Sequence, residues 1–441
     1  MTIDLNIVNG KLFLPDGFRQ GGISIEGEKI VRIGKEYSLP KSSSTINANG
    51  ALILPGLIDI HVHLRDFEQN YKETLVTGTR SAVSGGVTTV LDMPNNKPPT
   101  NSVNRIENKF NLIREKTAAN IGFYSLLPQK IEQMEELVAK GIFGFKMYPA
   151  DILYPPKNDQ TLAKFLKFLP RNDVPLVVHP DNGFAAEAEK ELFESEMPKI
   201  DAFFSAHNQI EEAKALDRFI SLQTDLSFKL HCAHVTAKET INILQEHAKD
   251  SSLSSEVCPH HLMLTKEDLF KLGSQAKCLP PLRTKEDQNA LWQALDDNLI
   301  KVIATDHAPH SYNEKFCDFE YAASGIHGLE TLAPVMFTQV TKGKITFEKL
   351  IPKMTANPAK LMGIEKRGEL KEGYFADILI LKKEKGQIEP DTFESKAKWT
   401  PFQGFQYTHR PWKVLVNGSL AKEDEFVISK TRSGKILEKT Y

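Results

Sequence analysis

Cysteine is scarce in this chain. Its 441 residues hold four, Cys232, Cys258, Cys278 and Cys317, and no two form a CxxC pair. That spacing suggests neither a disulfide framework nor a zinc ribbon, and a reducing, cytoplasmic compartment is the default expectation. An excess of one charge is lacking as well. The formal net charge is −2, which gives no electrostatic case for nucleic acid or an anionic membrane as partner. No apolar run approaches the ~20 residues of a membrane span. The opening MTIDLNIVNGKLFLPDG is acidic and strand-like, unlike a signal peptide. Sequence repeats and low-complexity tracts are missing, and no glycine-rich dinucleotide turn follows the first central strand, which disfavours a doubly wound open sheet.

What is present is ordinary for a globular enzyme: 41% hydrophobic and 25% charged residues. The length suits a (β/α)8 barrel with an accessory layer. Residues 1–54 read as short strands, with a hairpin signal at Asn9-Gly10 and a turn at Glu26-Gly27-Glu28. Residues 364–441 are strand-rich too, so the two ends are expected to build one small composite β-sandwich. Between them, residues 55–363 alternate apolar runs with helix-like segments about eight times, the pattern of a parallel TIM barrel.

The stretch LPGLIDIHVHLRD, Leu54 to Asp66, organises the rest. Strand side chains alternate, so His61 and His63 share a face at the end of a buried strand and can grip one cation. Arg65 continues that face and can hold a carboxylate through two parallel hydrogen bonds. The later strand ends contribute Asn95, Lys146, His179, His234, Asp306, His307 and His310. A single strand-end histidine is more often packing than a ligand. Several strand ends finishing in His or Asp are harder to explain that way, and imidazole with carboxylate suits Zn2+ and related ions. Lys146 lies in the apolar run IFGFKMYP, where an ammonium is costly. A neutral buried lysine can add CO2, and the carbamate could bridge two metals.

The segments HVHLRD, DMPN, FKMY, VVHPD, CAHVTAKE, EVCPHHL and TDHAPH, in this order, resemble the dihydroorotases of the amidohydrolase superfamily. The resemblance covers nearly the whole chain. HxH and the lone metal-binding Asp are general to the superfamily. Arg65, MPN at Asn95, DHAPH with His310, and the TPF at Phe402 are more specific. The resemblance implies reversible closure of N-carbamoyl-L-aspartate to L-dihydroorotate, a step of pyrimidine synthesis. It implies two Zn2+ per chain, one on His61, His63 and Asp306 and the other on His179 and His234. N6-carboxylated Lys146 and a hydroxide would bridge them, with Asp306 as general acid and base. Arg65, Asn95 and His310 would bind substrate, joined by Ser324 and Gly325 through the backbone. A homodimer is implied, and association with aspartate transcarbamoylase is a further possibility. The competing readings are a dihydropyrimidinase, hydantoinase or allantoinase on the same scaffold, or a structural partner of aspartate transcarbamoylase.

Two positions depart from the family pattern. Asp151 follows Lys146 closely, so either residue could bridge; the KxY context favours Lys146. Leu279 in CLPPLR stands where the family offers a polar substrate-binding side chain, and nearby Arg283 reads as a surface cation. His260 and His261 are expected to pack and orient ligands, His307 to be structural, Cys232 to be a small buried hydrophobe, and Lys396 and Lys398 to be solvated. Two long irregular stretches, Tyr148 to Lys157 and Ala308 to Ile326, are of a length that often carries function, the first as a lid over the site.

Overall fold

The computed structural model describes residues 2–149, 159–181, 183–428 and 432–441. Asp151 and most of the stretch read as a lid lie outside the described residues.

Eight parallel strands form the barrel: Leu57–Val62, Val87–Asp92, Asn120–Phe123 (continued by Ser125–Leu126), Phe145–Met147, Leu176–Val178, Leu230–Cys232, Leu253–Val257 and Val302–Ile303. Strands covered on both faces read as continuous apolar runs, and every residue of Leu57–Val62 is buried. A helix follows each strand, beginning with Leu75–Ser84, whose N-terminus is capped reciprocally by Thr74 and Thr77. The ring closes between the last strand and the first. His63 N–H donates to the His307 carbonyl at 2.8 Å, and Val62 bridges His307 in parallel. Beneath this closure the buried Asp59 accepts from the Thr305 amide and hydroxyl and from the His61 amide.

Both chain ends supply one nine-stranded sheet. Its path runs Phe426–Val427, Ser419–Glu423, Gln406–Val416, Ile378–Gln387, Leu52–Pro55, Ile3–Leu14, Gly17–Glu26, Lys29–Gly34, with Ser42–Asn47 on the far side of Ile3–Leu14. Leu54 lies opposite Leu379, so the strand leading into the barrel is stitched to the C-terminal half. Ile7, Ile23, Ile53, Ile378, Ile380 and Leu415 fill this layer's core.

One local expectation is corrected, and two element boundaries follow from local chemistry. Asn9-Gly10 is not a hairpin turn. It is a bulge inside Ile3–Leu14, with Asn9 at φ 55°, and the hairpin closes at Pro15-Asp16. The strand before Cys258 stops at Val257. Pro259, lacking an N–H, starts the helical turn Pro259–Met263. The stretch around Asp201 to Leu222 forms two helices, Lys199–Ala206 and Gln209–Leu226. Asn208 caps the second through a 3.1 Å bond from the Glu211 amide. Among the described residues no helix is long and apolar enough to cross a membrane.

Candidate metal centre and active-site cavity

The C-terminal strand ends surround a cavity of about 510 Å3. Every site residue expected from the sequence lines it except Lys146, which lies within its strand and is fully buried.

The first strand delivers His61 and His63 to the same side, and both rings are oriented from behind. His61 Nδ1 donates to the Glu256 carboxylate, and His63 Nδ1 donates to Asn95 Oδ1 at 2.6 Å. With Nδ1 of each ring so engaged, the two Nε2 atoms are the ones turned to the cavity. They converge on Asp306 Oδ1, at 3.4 Å from His61 and 2.9 Å from His63. On the other side His179 Nδ1 and His234 Nε2 stand 2.8 Å apart. His61, His234 and Asp306 each offer a buried ligand atom within 4.8 Å of the others.

Burial sets the protonation of this cluster. It lowers His179 to about 4 and depresses His63 and His234, the latter pushed further by His179 and Lys146. Neutral imidazole is the metal-binding form. Burial alone would raise the Asp306 carboxyl, but His61, His63 and His234 hold it well below the usual carboxylate range. The same balance keeps Glu256 ionised between His61 and His231, whose Nε2 lies 3.0 Å from it. Lys146 is lowered to about 8, chiefly by burial. Among the described residues neither Lys146 Nζ nor His234 Nδ1 has a hydrogen-bond partner. Converging imidazole nitrogens, an ionised carboxylate and an orphaned buried amine together fit a divalent cation site.

The backbone is held in uncommon conformations here. Arg65, His234 and Asp306 have φ of 60°, 34° and 46°. Left-handed non-glycine residues cost of order 1–3 kcal/mol each and persist where the surroundings fix them. At Arg65 the Asn96 side chain donates to the carbonyl.

Beside the cluster, Arg65 is 6% exposed. Its guanidinium meets the Pro309 carbonyl at 3.2 Å and His310 Nε2 at 3.2 Å, and among the described residues it has no carboxylate ion-pair partner. His310 Nε2 also lies 3.0 Å from the Ser324 carbonyl, and Trp399 Nε1 donates to the His310 carbonyl at 2.9 Å. Gly325, at φ 147°, packs so closely that a Cβ would sit 2.6 Å from the Ala308 carbonyl oxygen. Lys315 fixes this loop from below, donating to the carbonyls of Lys277, Ala323 and Gly325 at 2.6–3.0 Å.

Sequence reading missed some of the residues that hold and line this cavity. Glu256 and Asp59 act across the barrel on residues some 195 to 246 positions away, so no local motif marks them. His207 also lines the cavity and is held 2.6 Å from Glu189; its signal was its place in the helix break. Arg283 is a correction. It is buried, not a surface cation, and binds Thr236, the His207 carbonyl and Glu212. Leu279 does line the cavity, so an apolar side chain occupies that part of the wall. His307 is fully buried beside His327 and Glu73, away from the cavity lining.

A model of the amidohydrolase family matches residues 52–421. A dihydroorotase from Methanosarcina acetivorans is 32% identical over 452 residues, covering 99% of this chain and 95% of that protein. One from Bacillus cytotoxicus is 35% identical, covering 91% and 94%. Among solved structures, the L-hydantoinase (dihydropyrimidinase) from Arthrobacter aurescens superposes with a TM-score of 0.94 at 27% identity, covering 99% of this chain and 100% of that one. With a barrel of this topology, a histidine–aspartate cluster at its strand ends and these relatives over nearly its whole length, the chain belongs to the amidohydrolase family, in its dihydroorotase branch.

Proposed function

We propose that the chain is a dihydroorotase, interconverting N-carbamoyl-L-aspartate and L-dihydroorotate at this cavity. The observation that carries the reading is Arg65. A buried guanidinium facing a cavity without a carboxylate partner among the described residues is poised for an anionic ligand, and dihydroorotate brings a carboxylate. Hydantoin, dihydrouracil and allantoin bring none, which ranks the hydantoinase-type reading second despite the close superposition.

His61, His63 and Asp306 would hold one divalent cation, and His179 and His234 a second, with Lys146 between them as its CO2 adduct. When bound, the cations supply Lewis acidity towards the amide carbonyl and make a water more acidic. Zn2+ is the expected metal for this donor set. Asp306, ionised within the cluster, accepts the proton from the attacking water in ring opening and passes it to the departing ring nitrogen. In ring closure it takes the proton from the ureido nitrogen. Arg65 and His310 position the carboxylate, with Asn95 holding His63 while it faces the substrate. Ser324 and Gly325 offer backbone groups along the ring. Glu256 and Asn95 keep the two imidazoles in the tautomer that leaves Nε2 free. A homodimer working in the cytoplasm, with or without aspartate transcarbamoylase, completes the reading.

The test is a side-by-side assay of the metal-loaded chain on dihydroorotate, carbamoyl-aspartate, hydantoin, dihydrouracil and allantoin. Turnover of the first two alone supports the proposal. Turnover of hydantoin or dihydrouracil in preference to dihydroorotate overturns it, and no turnover of any points to the scaffold role.

A further inference from the structure

A second group of metal-type ligands lies outside the cavity lining. Cys258, His260 and His261 are all buried, and one ligand atom from each falls within 4.8 Å of the others. They come from a single turn. Cys258 follows the strand Leu253–Val257, and His260 and His261 lie on the helical turn Pro259–Met263 with ring centroids 4.2 Å apart.

Two further observations point to a ligand. His260 Nε2 and His261 Nδ1 are buried with no hydrogen-bond partner among the described residues. His261 Nε2 sits 3.1 Å from the Pro280 carbonyl, which can only accept, so that nitrogen carries the proton and Nδ1 is a bare lone pair. A ring nitrogen donating to a carbonyl while the other stays free is how ligating histidines are commonly held. A second thiol, Cys278, lies 3.9 Å from His261 Nε2 and flanks the group. Packing alone gives no reason for two buried imidazoles to leave nitrogens unsatisfied beside a thiol, since each such atom is costly.

We propose that Cys258, His260 and His261 form a separate site for a borderline-soft divalent cation, Zn2+ by its donor chemistry, supplementary to the cation sites of the cavity. Thiolate with two imidazoles is a donor set that selects zinc over magnesium or calcium. Binding releases the Cys258 thiol proton to solvent and leaves a thiolate on the cation. Its place is structural. It fixes the turn that follows the Leu253–Val257 strand, which carries Glu256, and with it His261, whose Nε2 meets the Pro280 carbonyl next to Leu279 of the cavity wall.

Cobalt separates this site from the cavity, whose expected ligands include no thiolate. The full-length chain is stripped with chelator and titrated with Co2+ alone. Wild type is expected to develop the near-ultraviolet thiolate-to-cobalt charge-transfer band. Cys258→Thr is expected to lose the band together with one metal per chain by elemental analysis, while keeping the visible bands of the cavity cations. Threonine suits the position that Cys258 holds before the helical turn, so the variant is expected to fold. Cys232→Ala, which removes the buried thiol two residues before His234, is expected to retain the band. No band in wild type under excess cobalt, or a band that survives in Cys258→Thr, overturns the proposal. A band lost instead in Cys232→Ala assigns the thiolate to the cavity and overturns it as well. Loss of the band leaves the dihydroorotase reading untouched, because that reading is judged by substrate turnover.

Discussion

Asp306 and Lys146 are the two residues whose protonation defines the site. Asp306 is buried yet kept ionised by three imidazoles. Asp306→Asn removes the proton acceptor while conserving volume. Positioned proton transfer contributes about 10²–10⁴-fold, so kcat for ring opening should fall by that order with the thermal unfolding profile little changed. A kcat within a few-fold of wild type would remove Asp306 from its role. Lys146 makes a prediction about pH. Burial lowers its amine from 10.5 to about 8 in the folded chain. Between those values the unfolded chain binds the extra proton, so folded stability rises with pH across that window, and below pH 8 the full burial penalty is present. In metal-free, bicarbonate-free protein, denaturant midpoints from pH 8 to 10.5 should rise more steeply for wild type than for Lys146→Met. Equal slopes would show that the amine is not held neutral. At this scale the sequence was legible where chemistry was unusual for its surroundings, a lysine in IFGFKMYP or two histidines on one strand face. Arg283 was misread because its burial depends on Glu212 and the His207 carbonyl, on elements whose packing no local pattern reveals.

The elements act as a frame that sets these side chains in register. Alternation along LIDIHVH was readable, and His61 and His63 line the same cavity. The barrel closure was not readable, because it depends on Asp59 accepting from Thr305, 246 positions away. Asp59→Ala strips acceptors from buried donors, each worth about 1–3 kcal/mol. Urea unfolding should therefore show a loss of at least about 2 kcal/mol, with metal content reduced at the displaced Asp306 turn. A loss below about half a kcal/mol would mean the closure does not rest on Asp59. The bulge at Asn9-Gly10 and the helical turn after Val257 went unread for another reason. Asn-Gly serves bulges as well as hairpins, and the apolar run through Cys258 hides the stop that Pro259 enforces.

At the level of the whole molecule, the accessory layer reaches back to the cavity. The segment between the strands Ile378–Gln387 and Gln406–Val416 crosses to the barrel, where Glu330 accepts from the Glu394 and Ser395 amides at 3.1 Å and Glu73 accepts from the Ser395 hydroxyl. Its Trp399 then anchors the His310 carbonyl. The composite layer was foreseeable from strand-rich ends. Its contact with the substrate wall was not, since Trp399 and His310 are 89 residues apart. Trp399→Phe removes a single N–H donor worth about 1 kcal/mol. It should raise KM for dihydroorotate several-fold with kcat nearly unchanged, and an unaltered KM would detach this layer from substrate binding.

The measurement that bears most directly on the account is kcat/KM for dihydroorotate and for dihydrouracil, which is the same ring without the carboxylate, in wild type and Arg65→Met at equal metal loading. Hydrogen bonds to a charged group contribute about 1.5–3 kcal/mol, or about 10–100-fold. The account predicts that wild type strongly prefers dihydroorotate, and that Arg65→Met loses at least tenfold on dihydroorotate while dihydrouracil is unaffected or improved. An equal loss on both substrates, or a wild type that prefers dihydrouracil, would contradict it.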